Sequence, residues 1–391
     1  MSVVWDVLVI GAGAAGMMAA IEAAKRGKRV LILEKTKHPG KKILMSGGGR
    51  CNFTNIYTSA DNFISHNPHF CKSALKRYTP FDFIALVQQH GIAFYQKKLG
   101  QLFCEGKSSE IVNMLLKECC DAKVKINLEQ DIKAVEKTDT RFRVVTAQAT
   151  YEALQVCVAT GGLSIPTLGS SPFAYQLAAQ FGLKVYPTRA ALVPLTLQEK
   201  AQYTELSGVS VASRVSVNGM HFDENMLFTH RGLSGPAILQ ISSYWQSGQE
   251  LELHFLPEMD WLDYLEKAKI ASAEQQLKTV LHQHLPKNMI KLMVDAELAE
   301  KPMKQIAHKE MHILHELLSQ WRIKPSGTEG YRTAEVTLGG IDCDELSSQT
   351  FEAKKVPGLY FVGEVIDVTG WLGGYNFQWA WSSGWAAGQV L

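Results

Sequence analysis

Three glycines, at positions 11, 13 and 16, stand in the order Gly-x-Gly-x-x-Gly. They lie directly after the apolar run DVLVIG and lead into the alanine-rich stretch AAGMMAAIEAAKRG. In that setting each glycine does something a side chain would prevent. Gly11 permits a tight turn, Gly13 lets the backbone approach a pyrophosphate, and Gly16 lets a helix pack close to the preceding strand. The helix N-terminus adds free N–H groups and partial positive charge for the phosphates. Glu34 closes the next apolar run, KRVLILEK, where its carboxylate can accept hydrogen bonds from ribose hydroxyls and repel a 2′-phosphate. The pattern predicts a dinucleotide site that does not take NADP. The motif alone does not separate FAD from NAD.

Three further stretches carry residues of chemical interest. KKILMSGGGRCNFTN, residues 41–55, holds three consecutive glycines, Arg50, Cys51, Asn52 and Asn55. VCVATGG, residues 156–162, ends a strand in small residues that allow close backbone contact with a ligand. GLYFVGEVIDVTGWLGGYNFQWAWSSG, residues 358–384, ends a strand at Gly363-Glu364, turns through glycines, and starts a helix near Asn376. That gives a second helix N-terminus aimed at a ligand. FTHRGLSGPAILQIS contains His230, Arg231 and Ser234, and an imidazole is suited to proton transfer beside a hydride step. It is equally a turn that holds one part of the chain against another. Thr337 and Gly339, in AEVTLGG, either reach the ligand or belong to a strand that rejoins the core sheet.

These residues need a scaffold of buried strands. DVLVIG and KRVLILEK predict parallel strands joined by a helix. Residues 36–60 look irregular. Residues 70–90 predict helix broken at Pro80, and SSEIVNMLLKECCDA predicts a helix capped by Ser108 or Ser109. KVKINLE, DIKAVEKT, FRVVTA and ALQVCVATGG predict a small antiparallel meander returning to the main sheet. From about residue 192 the chain becomes strand-rich and turn-rich, and 260–322 predicts mostly helix. The fold class expected is α/β. A Rossmann-like FAD-binding domain (1–191 and 330–391) with a parallel central sheet and a small antiparallel meander is interrupted by an inserted, mixed β-barrel-like and helical domain (192–329).

Composition narrows the classes. Hydrophobic residues make up 46% of the 391 and charged residues 20%, which is ample for a core. A net charge of +2 argues against nucleic acid or an anionic membrane as partner. The first residues lack a basic segment before their apolar run, and glycines and charges interrupt that run, so neither a signal peptide nor a membrane span is expected. Seven cysteines without a CxxC pair predict no disulfide framework and no zinc site, and fit a reducing cytoplasm. Cys51 has no cysteine nearer than Cys71 on its C-terminal side, so a local dithiol is absent and a small buried residue is expected. His308, His312 and His315 share a helical face and are expected to be solvated or at an interface. No metal is expected.

The combination of VLVIGAGAAG, SGGGRCNFTN, CVATGG, FTHRGLSGPAILQIS, AEVTLGGI and GLYFVGEVIDVTGWLGGYNFQWAWSSG resembles the bacterial YhiN/BaiN-like family of FAD-dependent oxidoreductases. The resemblance implies a two-dinucleotide-binding-type flavoprotein fold and bound FAD. It implies Gly11, Gly13, Ala15 and Gly16 at the pyrophosphate and Glu34 at the adenosine ribose. It places Lys35, Lys42, Gly47, Gly48, Gly49, Arg50, Cys51 and Asn52 along the cofactor, with Arg50 at a cofactor phosphate or at an anionic substrate and Asn52 bonding the cofactor or holding the loop; Val135 or its neighbours fall at adenine, and Ala159, Thr160 and Gly161 beside the cofactor. Gly363 and Glu364 fall near the ribityl chain, and Gly374, Asn376 and Phe377 near the flavin carbonyl edge. The activity implied is hydride transfer through flavin N5 to or from a small-molecule substrate, for instance at a C=C bond next to a carbonyl. NAD(P)H is the transient donor in that reading, with His230 and Thr337 as candidate catalytic groups. The competing expectation is a structural or sensory flavin with an inserted domain that binds a protein or RNA.

Overall fold

The computed structural model describes residues 3–198 and 203–391. The chain divides into two compact units, Met1–Arg189 with Val336–Leu391, and Ala190–Glu335.

The first unit is built on β1 (Val4–Ile10), α1 (Ala14–Lys25), β2 (Val30–Leu33), α2 (Lys41–Met45), β3 (Asn52–Asn55), β4 (Phe94–Gln96), β5 (Gln101–Cys104) and α3 (Ser109–Asp121). It continues through β6 (Lys125–Asn127), β7 (Ile132–Lys137), β8 (Phe142–Thr146), β9 (Thr150–Val158) and β10 (Val185–Ala191). After the insertion come β11 (Val336–Ile341), β12 (Leu359–Phe361) and α4 (Tyr375–Gly388). The main sheet runs β6–β2–β1–β9–β8–β7, with β12 also on β9. β9 divides its far edge. Thr150–Ala153 pair antiparallel with β8, and Val156–Val158 pair parallel with β12. The parallel strands are apolar runs because both of their faces are buried. Val7–Leu33 strand residues such as Val7, Leu8, Val9, Leu31 and Ile32 are completely buried, each contributing about 1.5–3 kcal/mol.

The parallel register sets the site. Ile10 of β1 pairs with Val158 of β9, so Gly11 and Ala159 leave the sheet side by side at the carboxyl ends of adjacent strands. Helix α4 then lies on α1 at close range. A Cβ at Gly384 would stand 2.5 Å from Ala15 O, and one at Gly388 2.5 Å from the Glu22 Cβ.

Several local expectations change. Residues 36–60 are not wholly irregular: they contain α2 and β3, and β3 pairs with β5. Pro80 does not break one helix but starts a second, Pro80–Gln89, after Lys72–Arg77. Its missing N–H costs nothing in a first turn, and Thr79 and Asp82 close that turn as a capping box. Ser108 sits at the N-cap of α3, yet its hydroxyl donates to Leu44 O (2.7 Å) rather than capping the helix.

The second unit holds a seven-stranded sheet, antiparallel at each recorded pairing. Its order is Trp321–Ile323, Leu251–Phe255, Ser210–Val217, Met220–Thr229, Gly232–Ser234, Leu195–Thr196, Gly327–Thr328. Helices that include Trp261–Ala271 and His308–Ser319 complete it. His308 and His312 face each other edge-on at 4.4 Å. Among the described residues no group of three or more His, Cys, Asp or Glu is arranged to hold a metal. No helix among them is long and apolar enough to cross a membrane.

Candidate functional site

The first unit assembles a cradle from the ends of β1, β2, β9, β11 and β12 and the N-termini of α1 and α4. At Gly11, φ is +109° and an added Cβ would lie 2.6 Å from Ala159 O. At Gly16 the Cβ would lie 2.0 Å from Gly11 O, while nothing lies within 4 Å of one at Gly13. Gly11 and Gly16 therefore close the turn against protein, and Gly13 faces open space. Met17 N–H donates to Gly13 O (3.0 Å), so the N–H groups of Ala14, Ala15 and Gly16 have no partner within the helix. Thr160, whose Cα is 3.2 Å from the Gly11 Cβ position, carries a buried hydroxyl oxygen with no hydrogen-bond partner. An open glycine step, free N–H groups and an unpartnered hydroxyl suit the diphosphate of a dinucleotide.

Glu34 stands beside this turn. One carboxylate oxygen accepts from Ala12 N and the other from Thr36 N, both at 2.8 Å. Each oxygen retains a lone pair, which is what two adjacent ribose hydroxyls require. Lys35 points elsewhere, to Asp131 at 3.6 Å. Val135 is a buried strand residue, and its carbonyl accepts from Gln180 Nε2 (2.8 Å).

On the other side of the β9 end, four polar side chains converge. Lys42 Nζ donates to Glu364 (2.6 Å) and to Ser164 Oγ (2.8 Å). The second Glu364 oxygen accepts from Thr337 N (2.8 Å) and from Ser164 Oγ (3.3 Å). Thr337 is fully buried, and its hydroxyl accepts from Leu163 N (2.7 Å). It thus holds the 161–164 turn against Glu364 instead of presenting a hydroxyl to a reacting group. Cβ atoms fit poorly here: one at Gly162 would meet Thr337 Oγ1 at 2.4 Å, whereas one at Gly161 has only Glu364 at 3.8 Å. Gly363 is fixed through its backbone, donating to Ser383 Oγ and accepting from Trp379 Nε1, both at 3.0 Å.

The glycine loop follows α2. Gly47, Gly48 and Gly49 have φ of +58°, +63° and +84°, the left-handed region that glycine enters freely. Gly47 abuts protein, its Cβ position 2.7 Å from Asn52 N, whereas Gly48 and Gly49 face open space. Arg50 is exposed and has no carboxylate partner among the described residues. Cys51 is completely buried, and burial pushes its thiol up to about 12, with Ser46 hydrogen-bonding it in opposition. It is a packed, protonated thiol, as the missing second cysteine suggested.

β3 then ties this loop to the N-terminus of α4. Asn55 Nδ2 donates to Gly373 O (2.9 Å) and Leu99 O (3.0 Å). Thr54 Oγ1 bonds Gln378 Oε1 (2.6 Å), and Trp381 Nε1 bonds Phe53 O (2.8 Å). Asn52, with its amide turned to suit its neighbours, accepts from Gly374 N (3.1 Å). Asn376 closes the turn before the helix, accepting from Gly370 N and donating to Gly370 O, both at 2.8 Å. Asn52, Asn55 and Asn376 therefore spend their side chains on holding the loop. What remains for a ligand is the backbone of the first turn of α4, where Phe377 is half-buried.

His230 belongs to the second unit. It is exposed in the turn between Met220–Thr229 and Gly232–Ser234, a turn closed by Thr229 Oγ1, which accepts from Arg231 N (3.2 Å) and Gly232 N (3.1 Å). Arg231 pairs with Glu329 at 3.4 Å.

Residues 5–390 match the HI0933-like protein Rossmann domain. The chain belongs to this FAD-binding family. It is 52% identical over 99% of its length to the ribosomal RNA dihydrouridine synthase of Escherichia coli strain K12, covering 98% of that protein. It is 29% identical over 98% of its length to the 3-dehydro-bile acid delta(4,6)-reductase of Clostridium scindens, again covering 98%. In fold it is similar to a 3-ketosteroid-delta4-(5alpha)-dehydrogenase from Rhodococcus jostii, with a TM-score of 0.51, 15% identity, and 98% and 96% of the two chains covered. The family is one of flavin-dependent oxidoreductases that bind FAD.

Proposed function

We propose that this flavoprotein reduces the C5=C6 bond of uridine in ribosomal RNA, using NAD(P)H as electron donor. The observation that carries the reading is the end-to-end similarity to the Escherichia coli ribosomal RNA dihydrouridine synthase. The chemistry agrees with the site. The C5=C6 bond of uracil is conjugated with the C4 carbonyl, so its saturation is hydride addition to an activated double bond followed by protonation. FAD, when bound, supplies the hydride.

The chain's residues supply the rest. Gly13, the first turn of α1, and Thr160 hold the diphosphate, and Glu34 holds the adenosine ribose. Lys42, Ser164 and Thr337 fix Glu364 beside the ribityl chain. The first turn of α4 would offer its free N–H groups to the flavin carbonyl edge, where reduction places negative charge. His230 is the candidate proton donor.

A near-neutral net charge argued against RNA, but that figure sums two unlike units. The FAD-binding unit has 26 Lys and Arg against 20 Asp and Glu, and the inserted unit 14 against 18. The basic surplus resides with the cofactor, which favours an anionic substrate there.

A small unsaturated carbonyl compound is the second reading, favoured by the similarity to the bile acid reductase. Anaerobic half-reactions separate the two. NADH or NADPH should bleach the flavin, and protein-free ribosomal RNA should restore the oxidised spectrum. Restoration by a steroid enone and not by RNA would favour the second reading.

A further inference from the structure

Tyr57 (63% exposed) and Leu99 (53%) are apolar side chains exposed at the tip of the β4–β5 hairpin, and Met45 (56%) is exposed at the start of the glycine loop. The hairpin tip, Lys97–Gly100, is fastened to the turn that precedes α4. Asn55 bridges Leu99 O and Gly373 O, and Gln101 packs on Gly373. Leu99 has φ +57°, and the Tyr57 ring occupies the space a side chain at Gly100 would need (2.5 Å). Lys97 Nζ stands 4.3 Å from the Phe103 ring centroid, and Phe103 stacks with Tyr95 and touches the Gly47 position (3.0 Å). Arg50 and Lys107 flank this edge through backbone bonds, Cys104 N to Arg50 O (2.9 Å) and Ser108 N to Gly49 O (2.8 Å). Neither has a carboxylate partner among the described residues. Glu105 is the exposed carboxylate on the same segment and reduces the surplus without cancelling it.

We propose that this hairpin edge is the RNA-strand contact surface of the enzyme. Lys97, Lys107 and Arg50 meet backbone phosphates, and Tyr57 stacks on a base next to the one reduced. The proposal rests on the RNA reading above. Its chemistry is that of single-stranded RNA recognition, in which cations track phosphates and an exposed aromatic ring takes an unstacked base. A duplex offers no such base.

The test uses the FAD-loaded full chain, protein-free ribosomal RNA from cells lacking the gene, and filter binding over a range of salt. Lys97→Gln with Lys107→Gln removes two phosphate contacts. The salt dependence should flatten by about 1.4 in slope, and binding near 0.1 M salt should weaken roughly 25-fold. FAD content and bleaching by NAD(P)H should be unchanged. Tyr57→Ala should weaken binding without altering the slope. A control, Lys123→Gln with Lys125→Gln at the outer strand of the main sheet, should do neither. Unchanged binding in the hairpin variant, or an equal loss in the control, overturns the surface. Dihydrouridine formed by the hairpin variant at the wild-type rate at every salt concentration overturns it while leaving the function intact. RNA bound through the hairpin with no dihydrouridine formed by the wild type overturns the function and leaves the surface.

Discussion

Neighbouring glycines in the 46–49 turn are not equivalent. Gly47 is boxed in by Asn52 N and Phe103, whereas Gly48 borders open space at nearly the same backbone angles. Gly48→Val therefore carries left-handed strain of about 1–2 kcal/mol and puts a branched side chain into the open space proposed for the cofactor. The fold should survive and FAD occupancy should drop, which the flavin-to-protein absorbance ratio of the purified variant measures. Full occupancy would remove the loop from the cofactor. Cys51 gives a second prediction. With its thiol pushed up to about 12, the thiolate fraction falls by roughly tenfold for each pH step below that value. At pH 8 native protein should alkylate fast at Cys120, the exposed cysteine, and not at Cys51. Rapid labelling of Cys51, read by peptide mass spectrometry, would restore the idea of a reactive thiol beside the flavin.

At the scale of elements, the contact between α1 and α4 carries the most weight, because it brings together the two helix ends proposed to hold the diphosphate and the flavin. Gly384→Val would drive a side chain into Ala15 O, 2.5 Å from the Cβ position. Overpacking of this kind costs about 1–3 kcal/mol, so thermal unfolding of the first unit should shift down and, on the proposed site, FAD should dissociate more readily. A melting curve superimposable on the wild type would contradict the packing.

The β1–α1–β2 unit was legible in sequence because every level agrees: branched apolar runs, glycines where backbone must touch backbone, and an acid at the strand end. The Lys42–Ser164–Glu364–Thr337 cluster was only half legible. Lys42, Glu364 and Thr337 were picked out individually, but their contacts span up to 322 positions, and Ser164 and Gly162 carry no local signal. Asn52 and Asn376 were legible as important residues. Their use in holding the loop appears only when β3 is seen against α4.

At the scale of the molecule, the proposed RNA substrate has the weakest signal in the sequence. Composition averages a basic first unit with an acidic second one, and the average conceals the basic surplus. His230 is a test at this scale, since its unit carries the proposed proton donor. His230→Gln should leave flavin bleaching by NAD(P)H intact and slow the reoxidation by RNA about 10²–10⁴-fold. Equal slowing of both half-reactions would make it structural. The central claim meets its most direct test in nucleoside mass spectrometry. Ribosomal RNA from cells lacking the gene is incubated anaerobically with the FAD-loaded protein and NAD(P)H, digested, and assayed for dihydrouridine. The account predicts dihydrouridine that requires protein, FAD and the nicotinamide donor together. Flavin turnover with the RNA's uridine content unchanged would contradict it.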